Sequence, residues 1–292
     1  MFLELSAMRT CATTVSSALV AFATVFTVNA AFADTATLTS VADNTLIEDS
    51  GGSYSAGAAG YFFAGKVGVN GGSLLRRGAL RFDLSAIPAG STITSVSLRM
   101  NCSAVGLTTQ YPISLKRFTK SWGEGPSVAF GGGGAPSEPN DVTWLHRFYG
   151  STQLWTNPGG DFATTISATK NVGPMGVYVW ASTALLVADV QGWLNTPTNN
   201  FGWCVLGNET VDQSVKRFDS HEASVATVRP QLTVIFTPPS SNPYDLNNDN
   251  KVNAADLAVL LGNWGTNGRG DFNSSGTVDA ADLASMLSVW TG

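Results

Sequence analysis

Cysteine, histidine and charge are all scarce in this chain. It holds three cysteines and two histidines in 292 residues, and Cys11 falls within an N-terminal apolar stretch. The remaining Cys102, Cys204, His146 and His221 are spread too widely to read as a zinc frame of paired ligands. Charged residues make up 13% of the sequence, with no basic stripe or arginine-rich run. That argues against a nucleic-acid-binding surface. Beyond Val28 no apolar run is long enough to span a bilayer. The glycine-rich run Gly131–Gly134 lacks the Lys and Ser/Thr of a phosphate cradle, and is expected to be a flexible tip.

The N-terminus reads as a secretory signal. Arg9 supplies a positive charge, the stretch to Val28 is rich in Ala, Val and Phe, and Ala31-Phe32-Ala33 is a small-x-small cleavage site. The expectation is a signal peptide over 1–33 and a mature chain starting at Asp34, secreted or held at the cell surface. Met8 is an alternative initiator. In an exported protein Cys102 and Cys204 could be joined as a disulfide. Two buried free thiols are equally open.

The net charge of −5 is unevenly spread. Residues 34–243 carry 13 basic and 14 acidic side chains, whereas 244–292 carry two basic and six acidic ones. The excess acid belongs to a motif written twice, 26 residues apart: DLNNDNKVNAAD from Asp245 and DFNSSGTVDAAD from Asp271. A twelve-residue calcium loop places oxygen ligands at positions 1, 3, 5, 7, 9 and 12, using the backbone carbonyl at position 7. The first loop would therefore use Asp245, Asn247, Asp249, Lys251 (backbone), Asn253 and Asp256. The second would use Asp271, Asn273, Ser275, Thr277 (backbone), Asp279 and Asp282. Position 6 is Asn250 or Gly276, types that tolerate positive φ. Position 8 is Val252 or Val278, as expected if the two loops pair side by side. Each loop runs into a helical stripe: Leu257, Leu260, Leu261 and Trp264, then Leu283, Met286, Leu287 and Trp290. A merely solvated acidic tail would not keep two ligand sets and two stripes in register.

Prolines 238, 239 and 243 precede the first loop and glycines 265, 268 and 270 the second, so neither has an entry helix. Paired loop-plus-exit-helix units resemble a type I dockerin module. The resemblance implies two Ca2+ ions and a cohesin-like scaffold or surface protein as partner. It also implies recognition through positions 10 and 11 of each loop, here Ala254–Ala255 and Ala280–Ala281. The matching faces suit docking either way round.

Residues 34–238 read as β structure, followed by a Pro/Ser linker over 239–243 and the calcium module over 244–292. Runs such as Ser91–Ala104, Ile113–Trp122 and Gln231–Thr237 alternate apolar with polar residues between Gly, Pro and Asn clusters. One helix is expected over Ala184–Leu194, capped by Thr183, with Leu186, Val190, Trp193 and Leu194 on one face. The fold class is mainly β: a jelly-roll-like antiparallel sandwich followed by a small helical calcium module.

Several motifs then fall in order: Arg76 to Pro88, Trp122-Gly123-Glu124-Gly125, Val142-Thr143-Trp144, Gly159-Gly160-Asp161-Phe162, Asn200-Phe201-Gly202, Phe218 to Glu222 and Arg229-Pro230-Gln231-Leu232. Together they resemble the DNRLRE-domain, carbohydrate-binding-module-like sandwich proteins. That group implies a secreted protein attached to polysaccharide use, with acidic glycans among its ligands.

Arg77 and Arg81 alternate onto one strand face and could hold a uronate carboxylate. The competing reading is an internal Arg–Glu tie, with Glu222 compensating an arginine. Aromatic rings stack on sugars, but Trp122, Trp144, Trp180, Trp193 and Trp203 suit a core better. Trp155 and Tyr149 are the candidate exposed rings. His146, Arg147 and Tyr149 also supply the ingredients of a polysaccharide lyase. No acid has the context of a glycosidase pair. The reading is thus a non-catalytic polysaccharide-targeting or surface-assembly protein, with a lyase or hydrolase subunit and a structural adhesion protein as alternatives.

Overall fold

A computed structural model of the protein describes residues 33–239, 242–247 and 251–291. Residues 1–32 of the expected signal peptide, Ser240 and Ser241 of the linker, and Asp249 with its neighbours Asn248 and Asn250 lie outside those residues. The chain is mainly β, and its strands pair antiparallel throughout.

The strands run in chain order as β1 (Asp34–Ile47), β2 (Tyr54–Ser55), β3 (Tyr61–Lys66), β4 (Leu75–Phe82), β5 (Thr92–Val105), β6 (Tyr111–Arg117), β7 (Ala135–Pro136), β8 (Ala168–Val172), β9 (Gly176–Trp180), β10 (Trp203–Leu206), β11 (Lys216–Asp219) and β12 (Gln231–Thr237). Helix α1 (Ala184–Asn195) follows β9, and α2 (Ala254–Gly262) and α3 (Ala280–Leu287) lie near the C-terminus. Ten strands form a sheet ordered β1-β12-β5-β11-β3-β4-β10-β6-β8, with β9 on β5; β2 and β7 pair apart. β1 pairs with β12 through its first half and with β4 through its second, and β3 likewise joins β11 to β4. The sheet therefore folds into two facing layers.

Between the layers lies the main core, built from inward-facing positions of both. Phe62, Phe82, Leu98, Met100, Leu115, Trp180, Trp203, Phe218 and Val234 are all buried there, and α1 adds Leu186, Val190, Trp193 and Leu194. Each such side chain withdrawn from water contributes about 1.5–3 kcal/mol. The helix stands where its pattern predicts, with Thr183 Oγ1 accepting from Leu186 N at 3.0 Å as N-cap. In β5 the alternation jumps from Ile93 to Val96, and a bulge opposite Ile235/Phe236 resets the pleat. The strand expected over Ile113–Trp122 stops at Arg117. From Phe118 onward the chain leaves the sheet to cover its outer face.

One buried cation is built into this core. Lys216 is fully buried, and its Nζ donates to the carbonyls of Leu107, Thr109 and Gly173 at 2.5, 3.2 and 3.0 Å. All three of its donors are satisfied, which makes a buried ammonium tolerable.

Candidate functional site

A second apolar cluster covers the outer face of the β4-containing layer. It gathers Ala42, Leu46, Ala79, Phe118, Trp122, Val142, Trp144, Trp155 and Cys204. Arg77 and Arg81 flank Ala79 on this face, as their spacing predicts. The Arg77 guanidinium is already occupied. Arg77 donates from Nε and Nη2 to Glu209 Oε1 and Oε2 at 2.7 and 3.0 Å, and from Nη1 to Gly159 O at 3.0 Å. It also lies 4.8 Å from the centre of the Trp144 ring and 5.4 Å from that of Phe162. Burial would lower its pKa, but the Glu209 carboxylate outweighs burial and raises it. The internal Arg–Glu tie is thus present, but with Glu209 as partner instead of the expected Glu222. Arg81 stacks on Trp122 at 5.3 Å.

Gly159 is dictated by this arrangement. Its φ is +86°, and a Cβ there would fall 2.5 Å from Arg77 Nη1 and 2.7 Å from the Trp144 ring.

The expectation that Trp155 is exposed is overturned. Its ring stacks on Phe118 at 5.5 Å, it is 6% exposed, and its Nε1 donates to Thr143 O at 3.0 Å. A polar-looking segment hid it, because the segment folds its one large apolar side chain inward. Tyr149 is half-buried with its ring edge-on to His146 at 5.2 Å. Arg147 donates to Ser121 O and Oγ at 2.8 and 2.5 Å, and His146 Nδ1 pairs with Thr143 Oγ1 at 3.0 Å. These four side chains are all engaged within the loops.

Beside Arg77 lies an open groove of about 490 Å³ lined by Thr119, Lys120, Thr156, Asn157, Asp161 and Phe162. Lys120 is exposed at its edge and Phe162 is half-buried in its wall. Asp161 accepts from the backbone N–H of Thr156 and Asn157 at 2.9 and 3.0 Å. Burial would raise its carboxyl, but these donors prevail and hold it below the usual range. Sequence reasoning missed Lys120, which carries no motif of its own.

The duplicated loops fold alike. In each, the Asp at position 12 is fully buried and reaches back across the loop. Asp256 Oδ1 accepts from Leu246 N and Asn247 N at 2.7 and 3.0 Å, and Oδ2 from Asn253 N at 2.9 Å. Asp282 repeats this with Phe272, Asn273 and Asp279 at 2.8, 3.3 and 3.0 Å. The Asp279 N–H leads the donors that hold the Asp282 carboxyl below its ordinary range. Asn253 and Asp279 cap α2 and α3, each with a capping box.

In the second loop Ser275 N donates to both Asp271 Oδ1 and Asn273 Oδ1 at 2.9 Å, and Ser275 Oγ donates to Thr277 O at 3.1 Å. Four of the six expected ligand residues are therefore drawn together, and Gly276 takes φ +89° at position 6. This oxygen-only donor set fits calcium. In the first loop Asp245 is buried, and Asp249 lies outside the described residues.

Two details of the module differ from expectation. Val252 and Val278 share one apolar cluster, but their backbones do not pair with each other. Val278 exchanges hydrogen bonds with Gly265 and Thr266, and Val252 with Thr291, so each loop pairs with the segment that follows the other copy's helix. The predicted stripes also divide. Leu260 and Met286 are buried, whereas Leu261, Trp264, Leu287 and Trp290 are exposed. Ala254, Ala255, Ala280 and Ala281 are exposed as well.

Cys102 and Cys204 are both buried free thiols. Cys102 points into the core between the layers and Cys204 into the cluster outside them, so a sheet separates them. Burial pushes the Cys204 thiol up to about 12. The disulfide alternative is excluded by this placement.

A third group of polar residues was not foreseen as a unit. Asp43 on β1, Glu124 in the covering loop, and His221 and Glu222 just after β11 meet at one end of the layers. His221 Nδ1 lies 3.1 Å from Asp43 Oδ2 and 3.4 Å from Glu124 Oε1, and its Nε2 lies 3.0 Å from Glu222 Oε1. Asp43 is 1% exposed. Burial raises its carboxyl to about 6 and that of Glu124 to about 7, while the Asp43 and Glu222 carboxylates lift His221 to about 10. Sequence separations of up to 178 residues hid the group, since only Glu124, His221 and Glu222 lie in recognisable motifs.

Among the described residues no helix is long and apolar enough to cross a membrane. No protein-family model and no curated protein matches the chain.

Proposed function

We propose that the chain is an exported, non-catalytic polysaccharide-binding protein. In this reading a jelly-roll-like sandwich of the DNRLRE kind is joined to a dockerin-like module that binds two Ca2+ ions and docks a cohesin-like scaffold or surface protein. The observation that carries it is the repeated loop, in which a buried Asp256 or Asp282 closes a set of oxygen donors in the same way twice. Calcium there would neutralise carboxylates that otherwise repel one another, and the apolar residues of α2 and α3 are few. The exposed Ala pairs at positions 10 and 11, with the Leu/Trp pairs beyond them, form the docking faces.

Glycan contact is assigned to the groove beside Arg77. Lys120 supplies the charge for a uronate carboxylate, Phe162 a ring edge, and Asn157 and Thr156 hydroxyl-matching donors and acceptors. Arg77 supports the groove from beneath and stays with Glu209. An open cleft suits a chain-like ligand lying along a surface.

Affinity electrophoresis of the full chain in gels containing a soluble uronate polymer tests this reading. Retardation should weaken as salt rises, because screening acts within about 10 Å at 0.1 M. Lys120→Ala should weaken it too, and no new reducing ends should appear. Unretarded migration in every uronate and neutral polymer, or new chain ends, would overturn it.

A further inference from the structure

Asp43, Glu124, His221 and Glu222 take no part in that reading, yet they concentrate charge at a partly buried site. Three carboxylates surround one imidazole, so even a fully protonated His221 leaves the group with excess negative charge. The group is also incompletely satisfied. Glu222 Oε2 is buried without a hydrogen-bond partner. Asp43 Oδ2 faces the backbone N–H and Nδ1 of His221 at 2.9 and 3.1 Å. A buried carboxylate oxygen left unpaired, as Glu222 Oε2 is, is costly unless something positive reaches it.

The geometry suits an ion. One ligand atom each from Asp43, His221 and Glu222 lies within 4.8 Å of the others. Ligand atoms around a zinc-sized ion at about 2.0–2.2 Å sit roughly 3–3.5 Å apart, so closure needs side-chain movements of only about an ångström. His221 and Glu222 are each a quarter exposed, which leaves a path for entry.

We infer that Asp43, His221 and Glu222 form a site for a divalent transition-metal ion of the zinc or manganese type, with Glu124 as an adjoining carboxylate. A nitrogen ligand among carboxylates selects this class over calcium, which takes oxygen donors. The imidazole binds through one ring nitrogen, and any proton on that nitrogen passes to solvent as the ion enters. The site ties β1 to the turn after β11 and to the covering loop, three segments far apart in sequence. It is independent of the C-terminal loops.

The test is calorimetric titration of the full chain with Zn2+ in saturating calcium, repeated with Mn2+ followed by electron paramagnetic resonance. One equivalent should bind. Glu222→Gln and His221→Gln should each weaken it about tenfold or more, at least the loss typical of outer-shell changes. Asp256→Asn with Asp282→Asn should leave it unchanged. Glu222 is only partly buried, so its variant remains informative even if a change at Asp43 impairs folding. No zinc or manganese binding, or binding that both the Glu222 and His221 variants retain in full, would overturn the inference. The four residues would then be a proton-sharing tie between strands.

Discussion

Replacing Arg77 with Ala separates a framework role from a ligand role. The guanidinium makes two hydrogen bonds to Glu209 and one to Gly159 O, and is flanked by two aromatic rings. Hydrogen bonds to charged groups contribute about 1.5–3 kcal/mol, and partly exposed cation–π contacts about 0.5–1 kcal/mol. Side-chain exposures of 15% and 29% place the ion pair between the surface and fully buried limits. A loss of about 3 kcal/mol follows, with Glu209 left without its partner. For a domain of this size each kcal/mol moves the melting temperature by about 2–4 °C, so Arg77→Ala should melt about 6–12 °C lower. Scanning calorimetry of the full chain reads the shift. A double-mutant cycle with Glu209→Gln should show about 1–2 kcal/mol of coupling. A shift below about 2 °C, or strictly additive effects of the two substitutions, would refute the framework role.

Two further outcomes follow from burial and hydrogen bonding. Intact mass analysis should find both Cys102 and Cys204 reduced, unreactive to alkylating reagent in the native protein and both labelled after unfolding without reductant. A mass two hydrogens short would contradict this. The Asp161 carboxyl is held below its unfolded value, so its contribution is present above about pH 4 and lost as pH falls through the lower folded value. The melting-temperature gap between the protein and Asp161→Asn should therefore be widest near neutrality and narrow in acid. A gap independent of pH would count against a charged Asp161 as the loop's organiser.

Local patterns proved the most legible part of the sequence. β12 and α1 were readable because their alternation or helical face is buried in one continuous direction, and Thr183 signals its helix start chemically. The duplicated loops and the capped starts of α2 and α3 were readable because residue spacing is a property of a short segment. The Glu209 partner of Arg77 was not, since it depends on β10 pairing with β4 so that Leu206 lies opposite Arg77. Neither was Trp155, which depends on how the loop over residues 118–162 closes onto the outer face. That face is covered by irregular chain, and no period marks its buried side chains. The bulge in β5 and the partnering of Val278 with Gly265 and Thr266 were equally hidden, because pairing is decided between segments. Asp43 and His221 meet for the same reason, through topology alone.

Calcium titration of the full chain tests the central claim most directly. Two ions should bind, and Asp256→Ala and Asp282→Ala should each remove one, because each deletes the buried carboxylate that closes its loop. Far-ultraviolet circular dichroism should gain helix on the same titration and lose it with chelator, as α2 and α3 form on their ions. Absence of calcium binding, or a stoichiometry that neither substitution alters, would contradict the account.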